Sequence, residues 1–287
     1  MTTLTTSPTA TVPSAVGAPP RWRDLLDAEW IKLWSLRSTL IVLAGIVILA
    51  WYVAYDGANQ AYTAWPGFED DFKQIFDPGH ETLYPPAYLL LMTIAGAIGA
   101  QTVVGEHANG LIRTTFIAVP ARSRVVLAKA AVVTAVLGVI GLLVGVGSWG
   151  IAMAIYSDRI TAFSWSTPGL PGLLTAVVIT FPVSGLIGMA VGTLIRNGAV
   201  TIFVLFVNFM IVPMGLLAPD DKLLHTGNFF EQVSNALPFS AFLQLTHLGS
   251  GHIVGYHPSN TEAWIALPIW GFVSCVIAVM ALRHRDV

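Results

Sequence analysis

The chain has 287 residues, of which 55% are hydrophobic and only 10% charged, with a formal net charge of −2. A soluble domain carries about 25% charged residues, so this composition excludes an ordinary soluble fold, a disordered chain and a nucleic-acid binder with a basic face. The mean hydropathy of +0.71 points to the bilayer as solvent, and the expected class is an all-α integral membrane protein.

Residues 1–20, MTTLTTSPTATVPSAVGAPP, have neither the basic start nor the apolar core of a signal peptide and read as a disordered cytoplasmic tail. The next segment, 21–37 (RWRDLLDAEWIKLWSLR), has the period of an amphipathic helix lying in the interface. Trp22, Leu25, Leu26, Trp30, Leu33 and Leu36 share one broad face, and three tryptophans, counting Trp34, suit the headgroup level. Glu29 falls on the apolar side. A carboxylate there needs a partner, and Lys32, three residues on, is the nearest candidate.

A helix crosses the hydrocarbon with roughly 20 apolar residues. Uncharged runs predict six transmembrane helices, at about 38–56, 84–104, 126–156, 171–195, 198–217 and 262–282. A further uncharged run, 232–261, holds Pro238, Pro258, three glycines and three histidines. The region 218–261 is therefore read as a re-entrant or interfacial pair of helices on the extracellular side. With six spans, eleven of the 14 Lys and Arg residues fall on one side, and eleven of the 16 acids on the other. The positive-inside rule then places both termini in the cytoplasm; a seventh span would throw Arg283 and Arg285 outside.

Between the second and third spans lies the most informative stretch, GEHANGLIRTTFIAVPARSRVVLAK, residues 105–129. Gly105 and Gly110 permit a sharp turn, Asn109 can cap, Leu111 to Ala118 can form two short helical turns, and Pro120 breaks them. Arg122, Arg124 and Lys129 are expected to face the inner leaflet. A connection of this length, far beyond what joins two spans, suggests a docking element.

No ionisable residue lies in the middle of any predicted span, whereas ion-coupled carriers need such groups near the midplane. None of the four lysines follows a glycine, so no phosphate-binding G-x-x-x-x-G-K-[ST] is present. The chain thus has no means of its own to spend ATP or an ion gradient. Gly141/Gly145 and Gly188/Gly192 are small-xxx-small pairs for close helix packing. Pro182 and Pro213 are candidate kinks, and Asn208, mid-span, is the best polar candidate to line a pathway, a helix–helix hydrogen bond being the more common role of such a residue. Ser184, followed by Gly185, raises the possibility of an intramembrane enzyme, but a serine nucleophile needs a base and no histidine falls in a span. A non-transporting scaffold or sensor is the other alternative. The outer histidines, His80, His225, His247, His252 and His257, lack the i, i+4 spacing of a helical zinc pair, and no metal is expected. Cys275 is the sole cysteine, so no intrachain disulfide forms.

The interfacial EWIKLWSLRST, the loop beginning Gly105-Glu106 with Asn109-Gly110 and Ile112-Arg113-Thr114-Thr115, and the six spans together resemble the ABC-2 family of ABC transporter permeases. The resemblance covers the chain from about Arg21, as one transmembrane domain over 21–287. It implies that the cytoplasmic loop 105–125 contains a coupling helix seated in a cleft of a separate ATP-binding subunit. Gly105, Glu106, Asn109, Gly110, Arg113 and Thr114 then form the ATPase-coupling site, with Glu29, Trp30 and Lys32 on the neighbouring interfacial helix. It implies an exporter of amphipathic or hydrophobic compounds in the plasma membrane, working as a homodimer or with a similar permease. This chain would hold no cofactor, ATP and magnesium being bound by the partner subunit.

Overall fold

The computed structural model describes residues 21–109, 122–157, 164–213, 228–248 and 258–284. Among these the regular structure is all helical, with no strand. In chain order the helices are α1 (Trp22–Ser35), α2 (Arg37–Ala64, ending in a 3-10 turn), the short α3 (Asp70–Ile75) and α4 (Pro78–Thr82), α5 (Pro85–Ala108), α6 (Arg122–Tyr156), α7 (Leu170–Ile195), α8 (Gly198–Phe206), α9 (Asn228–Ala236), α10 (Pro238–Thr246) and α11 (Asn260–His284). Five of them, α2, α5, α6, α7 and α11, are long and apolar enough to cross a membrane. The described part of the predicted fifth span is shorter, Gly198–Ile211, and residues 214–217 of that span lie outside the described residues.

Helix ends differ from the uncharged runs for identifiable reasons. Asp56 does not stop α2, because one turn on Gln60 Nε2 donates to its Oδ2 at 2.6 Å, and the helix continues to Ala64. Gly105 makes no turn: it lies inside α5, which runs to Ala108, with Asn109 as C-cap donating its backbone N–H to the Gly105 carbonyl. Between α1 and α2 the chain breaks at Leu36 in an extended conformation. Arg196 closes α7 with a left-handed φ of 57° and donates its N–H to Gly192 O. Asn197 then caps α8 through Val200 N. Beyond Phe206 the helix widens into a π turn over Val207–Ile211, and Val212 donates to Val207 rather than one residue later. Pro213 explains this register, since its ring crowds the carbonyl four residues back and has no N–H to give it.

Packing centres on α7, flanked by α5, α6 and α11. Apolar surface gains little by leaving lipid for protein, so these helices are held by close fit. Small residues provide it. A methyl on Gly99 would collide with the Gly185 carbonyl, and one on Gly188 with the Gly96 carbonyl, so α5 and α7 meet backbone to backbone. Gly141 similarly faces Val178 Cα across α6 and α7. Toward the acid-rich end the glycines give way to aromatics. Tyr88 stacks on Phe242 with ring centroids 4.9 Å apart and meets Phe181 edge-on at 6.5 Å. This draws α10, buried along most of its length, into the bundle. The region between the fifth and sixth spans thus contributes two nine-residue helices, α9 and α10, with Trp270 Nε1 on α11 donating to Ala236 O at 2.6 Å.

Candidate functional site

The basic end of the bundle is organised by α1, the end of α5 and the start of α6. On α1 the buried residues are Leu25, Glu29 and Leu33, one turn apart, and this stripe packs on α6 against Val125 and Ala128. The tryptophans face outward: Trp22, Trp30 and Trp34 are 38–46% exposed. Glu29 is therefore on the protein-facing side of α1 with Leu25 and Leu33, and Trp22 and Trp30, which periodicity alone placed with them on one broad apolar face, are on the exposed side.

Four ionised side chains meet there. Lys32 Nζ donates to Glu29 Oε1 at 2.7 Å and to Glu106 Oε1 at 2.8 Å. Lys129 Nζ donates to Glu106 Oε1 at 3.0 Å and also to Glu29 Oε2. Glu29, Glu106 and Lys129 are buried, while the Lys32 side chain is 38% exposed at the rim. Two carboxylates and two ammoniums cancel, which is the condition for keeping charge out of water. Burial disfavours the Lys32 ammonium, but its hydrogen bonds to Glu106 and Glu29, and their charges, outweigh that and hold its pKa above the ordinary 10.5.

Lys129 does not face the leaflet, contrary to the sequence-based expectation. It sits on the buried stripe of α6 with Val125, Val126, Val132 and Val133, and its charge is consumed by the two glutamates. A signal for this was present in the sequence. Glu29 spoils the apolar face of one helix and Lys129 spoils that of another, and two misfits of opposite sign can answer each other.

Beside the cluster, a cavity of about 370 Å³ opens between α1, α2, α5 and α6. The four charged residues line its inner end with Ser38, Thr39 and Gln101, while Val42, Ile94, Ile98 and Ile202 line its apolar stretch. Of the residues singled out in the sequence, Glu29, Lys32, Gly105, Glu106 and Asn109 all line this cavity. Trp30 is on the outward face of α1. Gly110, Arg113 and Thr114 lie outside the described residues. Asn208 falls in the π turn of the fifth span, half-buried, and does not line the cavity.

A second long-range junction lies at the opposite, acid-rich end. Asp77 Oδ2 pairs with His247 Nδ1 at 2.5 Å and accepts the Leu248 N–H at 3.1 Å. Its Oδ1 caps α4 by accepting Gly79 N–H at 2.8 Å. This pins α4 to the end of α10. Nearby, His80 lies 3.6 Å from Glu81. The Glu81 carboxylate, working against partial burial, raises the His80 pKa above 6.5. Among the described residues no group of three metal-ligating side chains is assembled; His225, His252 and His257 lie outside them. Ser184 is fully buried, with its hydroxyl donating to the Thr180 carbonyl at 2.9 Å, an arrangement that satisfies a helix-interior serine.

Comparison with known proteins adds one match. A family model described as ABC-2 family transporter protein matches residues 25–287 of the chain. No curated protein matches it.

Proposed function

Because the chain belongs to the ABC-2 family of transporter proteins, we propose that it is the membrane-spanning permease of an ATP-driven exporter of amphipathic or hydrophobic compounds. A separate ATP-binding subunit, docking on residues 105–118, supplies the energy, and ATP and magnesium are bound there. Two such permeases, identical or similar, build the pathway in the plasma membrane, with the basic end and both termini in the cytoplasm. The largely apolar helices favour amphipathic cargo.

One observation carries this reading: the Glu29–Lys32–Glu106–Lys129 cluster joins three helices at the two roots of the proposed docking segment. Glu106 is on the helix leading into that segment and Lys129 on the helix leading out. A push on the segment would reach α5, α6 and α1 together, because moving one root alone would strip partners from buried charges, which costs several kcal/mol. Paired ions thus make the three helix ends a single lever. The tryptophan side of α1 would slide along the headgroup region as the lever tilts.

The test uses the permease reconstituted with its ATPase in vesicles. Glu106→Gln keeps the side-chain shape and removes the charge that both lysines share. ATP hydrolysis should persist while cargo moved per ATP falls about tenfold, a coupling loss of ordinary size. Unchanged transport per ATP in this variant would sink the assigned role.

A further inference from the structure

The hydrogen bonding within the charged cluster is complete on one side and open on the other. Both oxygens of Glu29 are used, one by each lysine. Glu106 accepts both lysines on Oε1, and its Oε2 has no hydrogen-bond partner among the described residues. Lys32 uses two of its three N–H donors. The hydroxyls of Ser38 and Thr39 make no side-chain hydrogen bond among the described residues either, and all of these groups line the same cavity. The site therefore offers one accessible carboxylate oxygen, one rim ammonium and two hydroxyls, with no net charge.

From this base the cavity continues along apolar side chains. Ile94 and Ile98 form its wall on α5, and Val42 and Ile202 are 38% and 50% exposed at its lateral edge. A ligand that satisfies the polar end and follows the apolar end must be an amphiphile. Net neutrality disfavours a purely anionic or purely cationic headgroup, since either would leave one sign uncompensated in a partly desolvated site. A headgroup carrying both signs fits. Its cation must also donate a hydrogen bond, because the headgroup would cover the accessible Glu106 Oε2 and displace the water that can reach it, and a carboxylate oxygen desolvated without a donor is costly; a quaternary ammonium cannot supply one.

We propose that this cavity binds a phospholipid whose headgroup joins a primary ammonium to a phosphodiester, the ammonium meeting Glu106 Oε2 and the phosphate meeting Lys32, Ser38 and Thr39. The acyl chain leaves between Val42 and Ile202 toward the surrounding lipid. The volume, about 370 Å³, suits a headgroup and the first part of a chain and lies in the usual range for small-molecule sites. This site does not depend on the ATPase reading, because it is a property of the permease alone.

The experiment uses the full chain, purified in detergent and offered equal mixtures of phosphatidylethanolamine, phosphatidylcholine and phosphatidylglycerol. Lipid retained per protein is counted by native mass spectrometry. One phosphatidylethanolamine should be held at least tenfold in preference to the other two. Ala97→Trp, which fills the cavity from α5, should abolish that preference. Should this variant fail to fold, Thr39→Val with Ser38→Ala leaves the helices intact and should weaken retention severalfold. Equal retention of the three lipids by the wild type, or undiminished preference in the folded cavity variants, would overturn the proposal. Because no ATPase is present, a negative result here leaves the coupling test standing, and the reverse also holds.

Discussion

Each end of the bundle ties together segments far apart in sequence, and each does so with a carboxylate, but the two junctions are built differently. At the basic end four charges on three helices are shared: every ion touches two of opposite sign. At the acid-rich end one carboxylate, Asp77, holds two backbone amides and one imidazole. The first junction depends on charge balance. The second is a cap that also happens to pair with a histidine, so its loss frees backbone groups and unbalances little charge. The difference teaches where each is vulnerable: a network of ions fails when one member is removed alone, whereas a cap fails locally.

The sharpest way to break the comparison is Lys129→Ala. It leaves Glu29 and Glu106 buried with only Lys32 between them, and removing one partner of a buried ionic set costs about 3–5 kcal/mol. Thermal unfolding in detergent should show a larger loss than any single substitution at the acid-rich end. Replacing Glu29 and Lys129 together by methionine should recover most of that loss, because the remaining Lys32–Glu106 pair is neutral and apolar replacements of buried pairs are often neutral. If the double variant is as unstable as the single one, the shared-charge description fails.

At the other end, Asp77→Ala should cost less, about 1–3 kcal/mol, the usual penalty for backbone donors left without an acceptor. The damage should be local. Hydrogen exchange is expected to rise at Gly79 and Leu248, with the α5–α7 glycine contact unchanged. Asp77→Asn, which keeps an acceptor for one amide, should fall between wild type and alanine. Loss of protection across the whole bundle would mean that Asp77 is no local cap.

Much of this architecture is legible in the sequence, and the reasons are physical. Long uncharged runs must be helices in lipid, because no other open structure satisfies its own backbone, so the places of the five long apolar helices followed from Arg, Lys, Asp and Glu alone. Helix ends did not follow, since Asp56 and Glu106 continue helices whose apolar parts have already ended. Glu29 was visible as a misfit, and Lys32 was a correct partner by spacing. Glu106 and Lys129 were out of reach as its other partners because they depend on how α1 crosses α5 and α6, which is tertiary information. The glycine pairs announced close packing, yet only the structure says that Gly188 meets Gly96 and that Gly99, outside any small-xxx-small pair noted, meets Gly185. Asp77 and His247 gave no sequence sign of meeting.

The smallest effect separates the two ends by pH. His80 has its pKa raised above 6.5, first by the close approach of the Glu81 carboxylate at 3.6 Å, with burial opposing and the charges of Glu81 and Asp77 assisting. A folded-state pKa above the unfolded one gives stability that is complete below the unfolded pKa and fades as pH rises through the folded value. Lys32 follows the same sign, but its window opens only above 10.5. Between about pH 6 and pH 8, where histidines titrate, the basic-end cluster should contribute a constant amount while the His80–Glu81 contribution declines. The difference between wild type and His80→Gln in unfolding midpoint isolates that one group from the other histidines. It should be greatest at the acid end of the window and shrink toward the alkaline end. His80 is half-exposed, so the change should be the smallest of the series; a difference that grows with pH would reverse the sign of the pair and remove it from the acid-rich junction.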